Sequence, residues 1–155
     1  MLSLKAQATR APRGGIFPRT SNVILVTGGA GYIGSHTCAA LAAAGLPYLV
    51  LDNFSNSRTS VLERLGRITG EVPPCITGDV RDRALLDDIF ARHPITAVVH
   101  FAGLKAVGES VREPLRYYDT NVAGSVTLLH AMRAAQVRTL VFSSSATVYG
   151  DPASV

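Results

Sequence analysis

Short apolar runs rich in β-branched residues alternate along this chain with stretches whose apolar residues recur at helical spacing. This alternation predicts an α/β fold: a doubly wound parallel sheet of five strands, Rossmann-like, in the order 3-2-1-4-5 with helices on both faces. Asp82 is the expected cap of the third helix. The predicted strands are 23–27, 48–52, 75–79, 96–101 and 138–143, and the predicted helices are 31–44, a short one around 61–65, 83–92 and 114–135.

A glycine-rich turn follows the first strand. Gly28, Gly31 and Gly34 have the spacing G-x-x-G-x-x-G, a relative of the fingerprint by which βαβ units bind dinucleotides. One glycine permits the sharp turn, one lets a pyrophosphate approach the backbone, and one lets the helix pack closely on the strand. The N–H groups at the helix N-terminus then face the phosphates. The turn therefore predicts a dinucleotide site, although ordinary tight turns collect glycine too.

An acidic residue, Asp52, ends the second strand, about 20 residues after the turn. A carboxylate at this place accepts hydrogen bonds from a ribose 2′-hydroxyl and repels a 2′-phosphate, which favours NAD over NADP. The alternative interpretation is a plain loop aspartate. The spacing predicts NAD as the cofactor.

Polar residues and glycines follow all five predicted strands. In a parallel sheet these carboxyl ends meet along one edge, where ligands bind, so the five strand ends are expected to form one crevice. His100 is expected to be a core residue rather than a base. The residues in question are 28–34, Asp52, Asp79 with Val80, Phe101 to Gly103 with Lys105, and Ser143 to Ser145.

Composition places the chain among globular proteins, since 47% of its 155 residues are hydrophobic and 17% are charged. The net charge of +4 comes from the first twenty residues, where Lys5, Arg10, Arg13 and Arg19 meet no acid. The remaining chain is balanced, which gives little support to nucleic-acid binding. We expect residues 1–20 to be a disordered basic extension, with a transit peptide or a mis-assigned start codon as alternatives. Residues 21–155 are expected to be one domain.

Two cysteines, Cys38 and Cys75, are too few for a disulfide framework and lack the spacing of metal ligands. Both are interpreted as small core residues, no metal is expected, and a reducing, cytoplasmic location is predicted. The uncharged stretch from Thr20 to Leu51 is interrupted by glycines and by Pro47 too often for a membrane helix.

With these motifs the sequence resembles the extended short-chain dehydrogenase/reductase family, and within it the sugar-nucleotide 4-epimerases. The stretch 100–110 is more specific to that group than the glycine turn, which the whole superfamily shares. The resemblance covers residues 22–152 and is carried by residues 26–37, 51–53, 78–79, 100–110, 117–119, 121–122 and 142–151.

The resemblance implies a tightly held NAD that accepts hydride from C4 of a UDP-hexose and returns it to the other face of a 4-keto sugar. Ser145 is implied as the catalytic hydroxyl that orients the sugar 4-OH. The resemblance also allows a homodimer of the full-length form. Thr120 stands where relatives often have asparagine, which implies a weaker cofactor hydrogen bond. Cofactor contacts are implied for Gly28, Gly31, Tyr32, Ile33 and Gly34 at the pyrophosphate, Asp52 and Asn53 at the adenosine ribose, Asp79 and Val80 at the adenine, Phe101, Ala102, Gly103 and Lys105 at the middle and the nicotinamide ribose, and for Thr120, Asn121 and Ser143.

In the family the catalytic base is a tyrosine of the motif Tyr-x-x-x-Lys, in which the lysine four residues later lowers the pKa of the tyrosine. This motif is missing from the sequence. The only lysines are Lys5 and Lys105, and Tyr149 is followed at that spacing by Ala153. We therefore expect an N-terminal fragment that lacks the substrate domain and does not epimerise alone. A related NAD-dependent sugar-nucleotide dehydratase or decarboxylase and a non-catalytic NAD-binding module remain as alternatives.

Overall fold

The computed structural model describes residues 16–145, and expectations about 1–15 and 146–155, Tyr149 among them, lie outside the described residues. Five parallel strands form one sheet in the order β3-β2-β1-β4-β5, which confirms the predicted order. The strands are β1 Val23–Thr27, β2 Tyr48–Asp52, β3 Cys75–Thr77, β4 Ile95–His100 and β5 Thr139–Phe142, and the helices are α1 Tyr32–Ala43, α2 Ser60–Thr69, α3 Arg83–Arg92, α4 Val107–Arg112, α5 Pro114–Tyr117, a π-helical segment Tyr118–Ala123, and α6 Gly124–Ala134.

The strand order reverses at β1, which pairs with β2 on one side and with β4 on the other. Thr27, the last residue of β1, is in register with Leu51 of β2 and with His100 of β4. β1 and β4 therefore end at the same level, and β2 extends one residue further, to Asp52. Because connections leave β1 and β4 toward opposite sides, a crevice opens at this edge of the sheet.

Apolar residues of the strands are buried on both sheet faces, as expected for a parallel sheet covered by helices. On one face Leu25 and Val98 pack with Leu86 and Ile89 of α3 and with Leu128 of α6. The other face of the sheet packs against α1 and α2. The core thus fixes the strand ends from both sides.

The two cysteines belong to the core of the second face. Cys38 of α1 is fully buried, and Cys75 is half-buried against the same cluster. Burial raises the pKa of each thiol to about 12, so both are protonated and unreactive at neutral pH. The interpretation as small core residues agrees with this packing.

The predicted helix 114–135 is not one regular helix. It consists of α5, the π-helical segment and α6, and a short helix, α4, precedes it where none was predicted. Hydrophobic spacing predicts a helix here but does not distinguish a π-helical turn from an α-helical one.

Several details at the ends of elements bear on the predictions. The Asp82 carboxylate accepts a hydrogen bond from the backbone N–H of Leu85 at 3.0 Å, which confirms it as the cap of α3.

Phe17 packs on the core and meets the ring of His93 edge-on, so contacts with the domain begin before residue 21. Within residues 16–145, no helix is both long and apolar enough to cross a membrane.

Candidate functional site

The glycine turn at the end of β1 packs closely against the backbone of the loop after β4. Gly28 has a φ of +71°, and a Cβ atom there would lie 2.6 Å from the backbone nitrogen of Ala102, in the loop after β4. At Gly34 a Cβ atom would overlap the carbonyl oxygen of Gly28. Both positions therefore require glycine, one for its backbone conformation and the other for close packing of α1 on the turn.

The N-terminus of α1 begins directly after this turn. Gly31 is the N-cap residue, no side chain caps the helix, and its first turn has no acidic residue. Backbone N–H groups and the positive end of the helix dipole are thus available to an anion at Tyr32 and Ile33. The Tyr32 side chain is exposed, and its ring meets the His36 ring edge-on at a centroid distance of 5.0 Å.

Asp52, at the end of β2, is 8% exposed and joins the turn to the following loop. Its Oδ2 accepts from the backbone N–H of Ala30 at 2.9 Å, and its Oδ1 accepts from the backbone N–H of Phe54 and the hydroxyl of Ser57. A carboxylate has about four lone-pair positions, and the bonds from residues 16–145 use three of them, which leaves one on Oδ2 within this part of the chain. It can accept from a ribose hydroxyl while the other three bonds fix its orientation.

Asp79, after β3, is held by a second network at the same edge. Its carboxylate receives bidentate bonds from Arg81 and a bond of 2.8 Å from the Asn53 side-chain amide. Arg81 also pairs with Asp119 of the π-helical segment. The hydrogen bonds from Arg81 lower the pKa of Asp79 to about 2, so it is charged under all ordinary conditions.

The opposite wall is the loop after β4. Asn121 of the π-helical segment bonds both backbone groups of Leu104, and a Cβ atom on Gly103 would lie 3.1 Å from its Oδ1. The same atom would lie 3.4 Å from Nζ of Lys105, so the ammonium group lies over Gly103. Thr120 lines the crevice itself, whereas Asn121 acts on the loop.

His100, the last residue of β4, lies beneath the crevice and is 2% exposed. Its Nδ1 lies 2.6 Å from Oγ1 of Thr27, and its Nε2 lies 3.0 Å from Oγ of Ser125. Burial, and secondly the charge of Lys105, lowers its pKa to about 4. The residue is therefore a neutral core histidine, as interpreted from the sequence, and it is unsuited to act as a base near neutral pH.

These elements line one crevice at the carboxyl ends of the strands, the place where doubly wound sheets bind their ligands. The structure brings many of the expected residues into its lining: Gly28, Gly31, Asp52, Asn53, Asp79, Val80, Phe101, Ala102, Gly103 and Thr120. The sequence assigns no role to six further lining residues, although the polar loop after β2 is a signal for three of them. The six are Leu51, Ser55, Asn56, Ser57, Gly78 and Leu104.

The remaining expected residues lie around this lining. Tyr32, Ile33 and Gly34 form the start of α1 beside it, and Lys105 lines a smaller adjoining pocket with Asn56. Ser143 donates its backbone N–H to the His100 carbonyl oxygen at 3.1 Å. Ser145, the expected catalytic hydroxyl, is exposed just beyond β5.

Fold and crevice together define a Rossmann-type nucleotide-binding domain: a doubly wound sheet with a glycine turn at its reversal point and a buried acid at the next strand end. The model of the NAD dependent epimerase/dehydratase family matches residues 24–155, and the chain belongs to that family.

Individual relatives carry a more specific name than the family does. The chain is 65% identical over 128 residues to the UDP-glucose 4-epimerase of Yersinia pestis, a match that covers 83% of this chain and 38% of the relative. A UDP-glucose 4-epimerase of Klebsiella pneumoniae is 55% identical over 128 residues, covering 83% of this chain and 92% of that protein.

A solved structure shows the same likeness in three dimensions. The UDP-glucose-4-epimerase of Stenotrophomonas maltophila, with bound NAD and formylated UDP-arabinopyranose, superposes on this chain with a TM-score of 0.82 at 53% sequence identity. The superposition includes 86% of this chain and 39% of that protein. The chain thus spans about two fifths of the Yersinia and Stenotrophomonas proteins.

Proposed function

We propose that this chain provides the NAD-binding part of an enzyme that inverts C4 of a UDP-hexose, the UDP-glucose/UDP-galactose pair. One observation carries the proposal: the buried carboxylate of Asp52 is bonded to the glycine turn and lines the crevice. This arrangement fits the adenosine ribose of NAD. The uncapped N-terminus of α1 fits the pyrophosphate.

The residues present match the two halves of such a cofactor. Asn53, Asp79 and Val80 line the side next to Asp52, where the adenosine half is proposed to lie, and Phe101, Ala102, Gly103 and Lys105 border the other half. NAD supplies the hydride acceptor for the sugar C4. In the proposed site Ser145 binds the sugar 4-OH and keeps its proton directed toward a base, while Lys105 stabilises the ribose next to the nicotinamide.

Isothermal titration calorimetry with NAD and NADP tests the cofactor proposal. We expect NAD to bind more tightly than NADP, because the Asp52 carboxylate repels a 2′-phosphate. Asp52→Asn removes the charge and should weaken NAD binding about tenfold, the loss of one charge-assisted hydrogen bond, while it reduces the preference over NADP. Asp87→Asn, in an exposed ion pair on α3, is the matched control. Equal NAD affinity in parent and Asp52→Asn would refute the assignment.

Catalysis is a separate question, because the sequence contains no Tyr-x-x-x-Lys. We propose that the 155-residue chain binds NAD without turning over UDP-galactose, since a tyrosine of ordinary pKa near 10 is a poor base. A coupled assay for UDP-glucose formation tests this, with a homologous full-length epimerase as positive control. Turnover by the 155-residue chain would contradict the proposal. Binding without turnover also fits a non-catalytic NAD-binding module, which the missing pair favours as the second candidate.

A homodimer is proposed on the basis of an apolar stripe on the helical surface. Leu115, Tyr118, Val122, Val126 and Leu129 recur three or four residues apart, and each is about half exposed or more. Such a continuous apolar face is typical of an interface. Analytical ultracentrifugation of the parent and of Val122→Glu should show dimer and monomer, respectively. A monomeric parent would refute the dimer.

A cytoplasmic location is proposed because both cysteines are free and inside the domain, as in proteins of reducing compartments. Fractionation of cells that express the chain tests this location.

A further inference from the structure

The helix that borders the crevice contains a π-helical turn. The backbone N–H of Gly124 donates to the carbonyl oxygen of Asp119, five residues earlier, where an α-helix would use a residue four earlier. Single π-helical turns inside α-helices are uncommon and frequently occur at functional sites. This one brings Asn121 against the loop after β4.

Asn121 bonds that loop through both polar atoms of its side-chain amide. Its Oδ1 accepts from the backbone N–H of Leu104 at 2.8 Å, and its Nδ2 donates to the Leu104 carbonyl oxygen at 2.9 Å. Both bonds form only in one orientation of the amide. Leu104 therefore has the partners that a neighbouring strand would otherwise supply, and Gly103 and Lys105 on either side of it are fixed at the rim of the crevice.

The π-helical turn is in turn tied to the sheet through Ser125. The Ser125 hydroxyl lies 2.6 Å from the Asn121 carbonyl oxygen, which can only accept, so its single hydrogen is donated there. It must then accept from Nε2 of His100 at 3.0 Å, which makes His100 the Nε2–H tautomer. Nδ1 is left as an acceptor for the buried hydroxyl of Thr27 at 2.6 Å.

These contacts connect the end of β1 to the rim of the crevice. Hydrogen bonds lead from Thr27 through His100 and Ser125 to the backbone carbonyl of Asn121, and the Asn121 side chain bonds Leu104. In a doubly wound sheet a dinucleotide lies across the crevice. With its adenosine half at Asp52 of β2, its other half lies over the loop after β4. We propose that Ser125 and His100 are positioning residues for the nicotinamide half of the cofactor, acting through Asn121 on the loop 103–105. The inference rests on the proposed NAD site.

The test compares two ligands on the 155-residue chain, NAD and ADP, which lacks both the nicotinamide and the ribose next to it. Ser125→Ala should weaken NAD binding about tenfold more than ADP binding, as measured by calorimetry, because it loosens only the side of the crevice that ADP does not reach. Ser125→Thr keeps the hydroxyl and should restore the parent ratio. Thr127→Ala is the matched control: Thr127 also bonds a carbonyl four residues earlier on α6, but that carbonyl belongs to Ala123, outside the chain of bonds.

Amide hydrogen exchange of Leu104 without ligand gives an independent measurement. Ser125→Ala should speed this exchange about tenfold, whereas Ser125→Thr and Thr127→Ala should leave it unchanged. Should the alanine variant lose its circular dichroism signal, Ser125→Cys, whose thiol is a weak donor, replaces it.

The outcomes separate the two proposals. Equal weakening of both ligands, or unchanged Leu104 exchange in Ser125→Ala, overturns the positioning role. A parent chain that binds neither ligand overturns the proposed NAD site, and with it the role of Ser125 and His100 toward the cofactor. In that case the amide hydrogen exchange of Leu104 still decides whether Ser125 fixes the loop 103–105.

Discussion

Acidification should destabilise this protein through His100, a histidine buried in its neutral form. In the unfolded chain a histidine takes up a proton near pH 6.5, whereas in the fold His100 does so only near pH 4. Between these values the unfolded state binds the extra proton, so the free energy of unfolding falls as the pH falls. At about 1.4 kcal/mol per pKa unit, the loss reaches about 2.5 kcal/mol by pH 4.5.

Urea unfolding followed by circular dichroism from pH 7.5 to pH 4.5 measures this effect. We expect His100→Gln to be less stable than the parent at pH 7.5, because it disturbs the bonds to Thr27 and Ser125, but to lose less stability on acidification. His93→Gln is the matched comparison, since burial lowers the pKa of His93 as well, at the other end of β4. Asp79, whose pKa is about 2, contributes only below about pH 4 and stays outside the window.

The result that refutes this reasoning is a parent whose stability is flat or rising from pH 6.5 to pH 4.5. Equal slopes in the parent and in His100→Gln would also refute it, because the acid sensitivity would then come from another group.

Three further predictions concern single contacts. Gly34→Ala should lower stability by about 1–3 kcal/mol in thermal unfolding, because its Cβ meets the turn, whereas Gly108→Ala, with open space around it, should be neutral or slightly stabilising. Asp82→Ala should cost about 1 kcal/mol in urea unfolding, the value of a helix cap, and leave NAD affinity unchanged. Arg81→Gln should raise the pKa of Asp79 from about 2 toward 3.8 in an NMR titration, since hydrogen bonds from Arg81 are the main cause of its lowering.

The exposure of β5 follows from its position at the edge of the sheet and not from its own sequence. The apolar run 139–142 predicts a strand, and β5 is indeed formed, but its place at the sheet edge leaves Val141 and Phe142 57% and 55% exposed. Within residues 16–145 this edge has no neighbouring strand, so it is a surface for pairing with further chain or with another molecule.

Local sequence determined most of the architecture. Strand and helix order follow from the periodicity of apolar residues, because burial on one face repeats with the geometry of each element. Gly28 of the turn and Asp52 at the end of β2 are also predicted locally, since their positions depend on short spacings within one βαβ unit. Asp82 was identified as a cap because capping bonds span only three residues.

Tertiary structure alone decided which polar groups meet. Arg81 and Asp119 are 38 positions apart, and His100 and Ser125 are 25 apart, so no local pattern joins them. The π-helical turn and the use of Asn121 on Leu104 depend on the same packing of α6 against the strand ends. A periodic pattern records which face of an element is buried. The partner that a buried hydrogen-bonding group finds depends on strand register and on the neighbouring helix, which only the assembled fold provides.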